Sequence, residues 1–251
     1  MSHSPDTQNN YPWYFVKFFE QEKWADQFLA GDLYLNTINY FKTLESRQTA
    51  DRGDSTEATF LWVQPKDATI KLQVPKLNLQ TVITEKDLAA PIQASSRFHE
   101  SLHVLCLTAP TTEAPIFESG AISNLDSIYK QLKLDQRCFL MGKFAVVVPV
   151  ESFFPQLKTF IENSKLSARY DIVTYYDDSL FSGHFAAHEI PFRKQKRFSY
   201  QREWRLCVKF HIDTNEAMRL QIGRLQGAQV LSADQFSRLN EIRIAVGSQT
   251  S

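Results

Sequence analysis

The sequence predicts a mixed α+β fold with more strand than helix, organised as one domain over residues 11–247. Residues 200–208 alternate polar and apolar side chains, the pattern of a strand that is buried on one face. Residues 21–30 and 151–163 instead space their apolar side chains three and four positions apart, as amphipathic helices do. The 251-residue chain contains 19 Phe but only 8 Gly, which argues against glycine-rich phosphate loops of the P-loop or Rossmann kind.

The same patterns assign each element in chain order. Strands are predicted over 13–19, 33–37, 60–63, 68–74, 79–84, 101–107, 143–150, 171–176, 198–212, 220–222 and 241–246. Helices are predicted over 21–30, 38–44, 125–134, 151–163 and 232–240. Gly31 ends the first helix, because glycine is favoured just past a helix C-terminus. The polar segments 45–59, 110–118 and 177–197 are predicted to be loops or irregular structure.

Composition excludes several classes of protein. Lys plus Arg is 28 and Asp plus Glu is 28, whereas a general nucleic-acid coat or a membrane-surface protein usually shows a basic excess. No apolar run approaches the ~20 residues needed to span a bilayer. Residues 1–10 lack an apolar core, which predicts a disordered leader rather than a secretory signal. Cys106, Cys138 and Cys207 lie in apolar contexts and are predicted to be reduced core residues of a cytoplasmic protein without membrane contact.

The strand predicted over 198–212 has two unlike faces. They carry Trp204, Leu206 and Val208 on one side, and Gln201, Glu203 and Arg205 on the other. Breaking a glycosidic bond to a good leaving group builds positive charge on the ribose, which a nearby carboxylate stabilises. Glu203 is therefore the candidate catalytic residue, and Gln201 the candidate for holding an incoming acceptor. Alternatively, Glu203 and Arg205 form a structural ion pair on a solvent-facing strand.

A basic segment with interleaved aromatic residues precedes this strand. Its candidate substrate-binding residues are Arg193, Lys194, Arg197 and Tyr200. Cations combined with aromatic rings suit a single-stranded nucleic acid or a dinucleotide. The alternative is a solvated basic loop.

A second charged segment, 52–57, lies between two apolar stretches. One interpretation is a site loop in which Arg52 binds phosphate and Asp54 or Glu57 orients it. The other is a solvated turn around Gly53.

Two groups of residues resemble metal ligands. His184, His188 and Glu189 do not have the His-Glu-x-x-His order of a zinc site and lack an obvious third ligand, so no metal site is predicted. A magnesium-dependent nuclease stays open as an alternative, because it needs only converging carboxylates. Its ligands would be Asp54, Glu57 and Glu203, with Lys194 beside them. Against it, the central strand lacks the Glu-x-Lys pattern that such nucleases often show.

Two short motifs resemble a known family. The chain opens with a strand, a helix, Gly31-Asp32-Leu33 and a second strand, and it later carries Gln201-Arg202-Glu203. This arrangement resembles ADP-ribosyltransferase folds, including the DNA-modifying toxin branch and the tRNA 2′-phosphotransferases. The chain is also similar to bacterial domains of unknown function that share the Leu33-Tyr34-Leu35-Asn36 opening and the Tyr-x-x-Glu-Trp-Arg strand.

The resemblance implies a single α+β domain built on a strongly bent mixed or antiparallel sheet. It implies that NAD binds between the first strand and the Glu203 strand, with Glu203 catalytic and Gln201 orienting the acceptor. The implied cofactor contacts are Lys17, Tyr34, Asn36, Tyr40, Arg52 and Arg205. Tyr34 or Tyr40 would pack on the nicotinamide.

Lys17 departs from the better-known branches, which have His or Arg at this place. Lysine pairs with a phosphate as a point charge and lacks the planar fork of arginine. The resemblance further implies a nucleic acid or protein acceptor, and a bacterial toxin or phage-defence effector with an antitoxin as partner. A non-catalytic partner-binding module that keeps the same fold is the remaining alternative.

Overall fold

The computed structural model describes residues 11–44, 53–212 and 214–241. The predictions for 1–10, for Arg52 and for 242–247 lie outside this part. The helices are α1 (Glu22–Leu29), α2 (Ile38–Leu44), α3 (Arg97–Glu100), α4 (Leu125–Leu132), α5 (Val150–Ser164) and α6 (Ala233–Glu241). Short 3-10 helices are Pro65–Asp67, Pro75–Leu77, Glu85–Asp87, Gln136–Met141, Ile190–Phe192 and Lys196–Gln201.

The strands outnumber the helices, as the sequence predicts. They are β1 (Tyr11–Pro12), β2 (Tyr14–Phe19), β3 (Asp32–Thr37), β4 (Thr59–Val63), β5 (Ile70–Val74), β6 (Leu79–Ile83), β7 (Ile92–Ser95), β8 (His103–Thr108), β9 (Thr111–Thr112), β10 (Phe117–Glu118), β11 (Ala121–Ile122), β12 (Phe144–Pro149), β13 (Ser167–Ile172), β14 (Thr174–Tyr176), β15 (Gly183–His184), β16 (Arg193–Gln195), β17 (Glu203–Lys209), β18 (Met218–Gln221) and β19 (Gln229–Ser232). The mixed α+β class is confirmed.

The largest sheet is antiparallel and runs β13-β17-β8-β2-β12-β19, with β3 also paired to β8 and β18 paired to β3. One edge of β8 pairs with β17 along its whole length. Its other edge meets β2 at Thr108 and β3 at Val104 and His103. β2 and β3 therefore part from each other along the middle of β8, and this gap positions the site described below.

The main core lies on one face of this sheet, under α1 and α5. Trp204 is 2% exposed, and its ring lies 4.9 Å from that of Phe15 and 5.9 Å from that of Phe153. Leu206 and Val208 join the same cluster, whereas Cys207 belongs to a second cluster. β17 is thus anchored by alternate residues, each large apolar side chain contributing roughly 2–3 kcal/mol by burial.

The strand predicted over 198–212 is too long in its first part. Residues Lys196–Gln201 form a 3-10 helix, and Arg202 adopts a left-handed backbone with φ of 45° before β17 begins. Phe198 and Tyr200 are buried in a third cluster. Their two-residue spacing imitates strand alternation, although the backbone here is helical.

Other boundaries also differ from the prediction. The strand predicted over 171–176 is divided at Val173 into β13, which pairs with β17, and β14, which pairs with β16. The predicted loops 110–118 and 177–197 contain short strands, and β19 was missed. Glu241 ends α6 rather than opening a strand. Across the described ranges, every helix is too short or too polar to cross a membrane.

Candidate functional site

A cavity of about 490 Å³ lies in the gap between β2 and β3, against β8 and β17. Its volume falls within the few hundred to ~1,000 Å³ of typical small-molecule sites. The predicted site residues that line it are Lys17, Tyr34, Asn36, Tyr40, Lys194, Gln201, Glu203 and Arg205. The structure therefore brings the N-terminal strands and the Glu203 strand together around one space.

Arg205 organises the floor of the cavity, which we define as the lining residues Lys194, Glu203 and Arg205 together with Glu57, which lies behind Arg205. Arg205 Nη1 donates to Glu57 Oε2 at 2.9 Å and to the Pro191 carbonyl at 2.8 Å, and Nη2 donates to Glu57 Oε1 at 2.5 Å. Its Nε donates to Glu203 Oε1. Four of the five guanidinium donors are thus bonded to protein. Arg205, expected to contact a cofactor, mainly holds the floor together.

Lys194 is the second cation of the floor. Its Nζ donates to Gln201 Oε1 at 2.8 Å and to Glu203 Oε2 at 3.1 Å, and lies 3.9 Å from Glu57 Oε1. The residue is only 4% exposed and lies on β16, which pairs with β14. The alternative of a solvated basic loop is therefore wrong for Lys194.

The Glu203–Arg205 ion pair exists, but it is buried rather than solvent-facing. Glu203 is 4% exposed and Arg205 is 1% exposed. Burial alone would raise the pKa of Glu203, but Arg205 and then Lys194 outweigh it and hold this pKa well below its ordinary value. Glu203 is therefore ionised at neutral pH and presents a fixed negative charge at the cavity.

The pKa of Glu57 is shifted in the opposite direction, above its ordinary value. Burial raises its pKa even though Arg205 and Lys194 pull it down. Burial would lower the pKa of Lys194, but Glu203 and Glu57 raise it. Two neighbouring carboxylates with pKa values pushed apart are a pattern found where such groups have different roles.

Cys106 and Tyr175 complete the surroundings of Glu203. Burial, reinforced by the charge of Glu203, raises the pKa of Cys106 to about 12, so this thiol stays protonated and is a poor nucleophile. The backbone N–H of Glu203 donates to the hydroxyl of Tyr175 at 2.8 Å. This bond fixes the start of β17.

The mouth of the cavity, defined as Trp24, Asp32, Tyr34, Tyr40 and Arg219, is different in character. Trp24, Tyr34 and Tyr40 are 41%, 48% and 39% exposed. The Arg219 guanidinium lies 5.2 Å from the Tyr34 ring centre and pairs with Asp32. Exposed rings at a cavity suit stacking against a planar ligand group.

Lys17 lies between floor and mouth. Its Nζ donates to the carbonyl of Cys106 at 3.0 Å, in the middle of β8 where β2 and β3 part. Lys17 also lines the cavity, so its positive charge belongs to the cavity wall. Asn36, half-buried on β3, lines the same wall.

Three residues predicted to bind substrate lie away from the cavity lining. Arg193 pairs with Glu189 at 2.5 Å. The guanidinium of Arg197 lies 4.7 Å from the Phe198 ring centre. Tyr200 is buried, and its ring carries the Arg137 guanidinium at 3.9 Å. Their role in substrate binding stays a prediction, and Arg52 lies outside the described residues.

The carboxylates proposed for a nuclease do not form a metal site. Glu57 and Glu203 converge, but on Arg205 and Lys194 instead of an open position. Asp54 Oδ1 accepts from the backbone and the hydroxyl of Thr56 at 2.9 and 2.6 Å. Within residues 11–44, 53–212 and 214–241, no three His, Cys, Asp or Glu residues are grouped to hold a metal ion.

Comparison of the chain with protein-family models, curated proteins and solved structures found no match. The functional argument therefore depends on the cavity itself. Its floor offers a buried, ionised carboxylate between two cations, and its mouth offers exposed aromatic rings.

Proposed function

We propose that this chain is an NAD-dependent ADP-ribosyltransferase with an ADP-ribosyltransferase-like fold. One observation carries the proposal: Glu203 is buried, held ionised by Arg205 and Lys194, and lines a nucleotide-sized cavity. Such a preorganised carboxylate stabilises positive charge at little reorganisation cost. NAD is the substrate here, because its ADP-ribose is transferred.

In the proposed step, the bond between the ribose C1′ and the nicotinamide nitrogen breaks. Nicotinamide leaves as a neutral base with the bonding electron pair, and positive charge develops on the ribose. Glu203 stabilises this charge and accepts a hydrogen bond from a ribose hydroxyl. The acceptor then attacks C1′ and loses its proton to water, so that one bond has formed for the one broken.

The remaining lining residues fit the two ends of a dinucleotide. Lys17 supplies positive charge for the phosphates, and Asn36 supplies hydrogen bonds beside it. Tyr34 or Tyr40 stacks against the nicotinamide. Gln201 lines the cavity, and its amide is held by bonds from Lys194 to Oε1 and from Nε2 to the Tyr200 hydroxyl at 3.3 Å. This fixed amide orients the acceptor.

The test is transfer or hydrolysis of labelled NAD by purified protein, with single-stranded DNA, RNA and protein extracts as separate acceptors. Glu203→Gln keeps the size of the side chain and removes its charge, and is expected to lower the rate by about 10²–10³-fold. Glu100→Gln is the matched control, because Glu100 forms an ion pair with Lys42 at 2.6 Å away from the cavity lining.

Equal label release by Glu203→Gln and wild type would contradict the assigned site. Magnesium-dependent cleavage of nucleic acid without NAD would favour the nuclease instead. Labelling of nucleic acid or of protein identifies the acceptor. Rescue of a growth defect by a neighbouring gene product would support the toxin and antitoxin roles that the resemblance implies.

A further inference from the structure

Glu57 is a buried carboxylate to which the proposed chemistry gives no part. It is 1% exposed and does not line the cavity. Its carboxylate accepts hydrogen bonds from both terminal nitrogens of Arg205, although the two residues are 148 positions apart in the chain. A contact so distant in sequence forms only because the fold places these two side chains together.

The backbone around Glu57 is built tightly. The N–H of Glu57 donates to the Asp54 carbonyl at 3.0 Å, and the N–H of Thr59 donates to the Thr56 carbonyl at 3.2 Å. Ala58 adopts a left-handed backbone with φ of 60°, which is strained for a residue with a Cβ. Strain of this kind persists where surrounding structure enforces it, and it is frequent near functional sites.

The division of Arg205 between two carboxylates has a geometric consequence. Guanidinium and carboxylate groups readily form a two-pronged pair. Glu57 accepts hydrogen bonds from both terminal nitrogens, Nη1 and Nη2. Glu203 therefore accepts only one bond from Arg205, from Nε to Oε1. Glu203 Oε2 accepts from Lys194 instead, and Glu203 lines the cavity.

We propose that Glu57 is a positioning residue for Glu203: it holds Arg205 in the orientation that grips Oε1 alone and keeps Oε2 directed at the substrate. This inference deepens the proposed function and depends on it for its kinetic readout. Without Glu57, no second carboxylate competes for Arg205 and Lys194, and both cations stabilise the negative charge of Glu203. Glu203 then becomes a weaker base and a poorer partner for the ribose.

The groups that face Glu203 come from several elements. They are Arg205 on β17, Lys194 on β16, Cys106 on β8 and Tyr175 on β14, with Glu57 behind Arg205. The positive members attract Glu203, and Glu57 competes for them. Removing the charge of Glu57 is therefore expected to move the titration of Glu203 further toward acid.

The experiment compares wild type with Glu57→Gln, and uses Glu100→Gln as the control. For folded Glu57→Gln we expect kcat for NAD turnover to fall at least 10-fold while KM changes less than 3-fold. Glu100→Gln is expected to match wild type in both. An unchanged kcat in folded Glu57→Gln would overturn the positioning role.

A second readout separates this inference from the proposed function. Carboxyl ¹³C NMR titration, with the Glu203 signal assigned by its loss in Glu203→Gln, reports the state of Glu203 without any reaction. An acid shift of the Glu203 midpoint in Glu57→Gln supports the positioning role, and an unchanged midpoint overturns it. Wild-type protein that neither transfers nor hydrolyses NAD contradicts only the proposed function.

Loss of folding in Glu57→Gln is addressed by a double variant. Glu57→Gln with Arg205→Met removes both charges of the pair and so avoids an unpaired guanidinium. We expect this variant to fold, with the Glu203 midpoint returning upward because its main cation is gone. A midpoint equal to that of wild type would show that the pair does not act on Glu203, and would overturn the proposal.

Discussion

The floor and the mouth of the same cavity are built on opposite principles. In the floor, four charged side chains are each at most 5% exposed and bind one another. In the mouth, three aromatic rings keep about 39–48% of their surface exposed. Buried ion pairs fix geometry at a large desolvation cost, whereas exposed rings remain free to accept a ligand. The floor therefore suits chemistry and the mouth suits recognition.

Removing one arginine from each region gives the largest expected contrast. Arg205→Met leaves Glu57 and Glu203 buried without their main partner, and should lower the free energy of unfolding by about 3–5 kcal/mol. Arg219→Met removes the pair with Asp32 at the mouth, where the arginine side chain is 46% exposed, and should cost no more than ~1 kcal/mol. Urea denaturation measures both, and equal losses would refute the division into floor and mouth.

The backbone below the mouth provides the next test. Gly31 has φ of +86°, and a Cβ there would lie 1.8 Å from the Gly223 carbonyl oxygen. Gly120 has a similar φ of +80° but nothing within 4 Å of the added atom. Gly31→Ala is expected to lower the free energy of unfolding by about 3 kcal/mol or more.

Gly120→Ala serves as the matched control, at about 1–2 kcal/mol for the left-handed conformation alone. The difference between the two variants isolates the close approach of Gly31 to Gly223, which fixes the start of β3. Equal destabilisation in thermal melts would mean that this approach does not hold the strand that carries Tyr34.

Removing a ring at the mouth should affect binding more than stability. Tyr34→Ala truncates an exposed side chain, so the free energy of unfolding should change by less than ~0.5 kcal/mol. The loss of one stacking surface is expected to weaken NAD binding by roughly 10-fold. Calorimetric titration checks this, and Leu180→Ala, at an exposed residue away from the cavity lining, is the control. Unchanged affinity would remove Tyr34 from the site.

The pH dependence of stability distinguishes the two carboxylates of the floor. The lowered pKa of Glu203 stabilises the fold above its unfolded value of ~4.3, and this stabilisation is lost as pH falls toward the folded value. The raised pKa of Glu57 acts in the opposite direction. Relative to wild type, Glu203→Gln should therefore lower the free energy of unfolding less at pH 4 than at pH 7. Glu57→Gln should lower it more at pH 4 than at pH 7. Parallel curves from urea denaturation would contradict these shifts.

The sequence predicts the local part of this architecture well. Alternation around Trp204 predicts which residues of β17 face the main core, but the expectation that only this face is buried is wrong, because Glu203 and Arg205 on the other face are buried too. The spacing of apolar residues correctly predicts α1 and α5. Both patterns depend on neighbouring residues. Alternation failed at Phe198 and Tyr200, where a 3-10 helix buries the same side chains. Periodicity reports which residues are buried more reliably than the backbone that buries them.

The site was only half accessible to the same reasoning. Local charge and aromatic patterns predict Glu203 and Lys194 as site residues, but these patterns do not indicate that the two side chains are buried. The bond between Glu57 and Arg205 spans 148 positions, and no local signal identifies such a partner. The ring of Trp24 lies on α1, and only the parting of β2 and β3 reveals that it borders a cavity.

That parting has a consequence for Lys17. Where two strands separate from a third, main-chain oxygen atoms lose their usual partners, and the Lys17 ammonium satisfies one of them at Cys106. Under the proposed function, the same ammonium also supplies charge for the phosphates of NAD. A compact ammonium suits a bond to a main-chain oxygen better than a planar guanidinium does, which fits a lysine at this place instead of the arginine or histidine of the family that the sequence resembles. Replacing Lys17 is therefore expected to lower both the free energy of unfolding and the affinity for NAD.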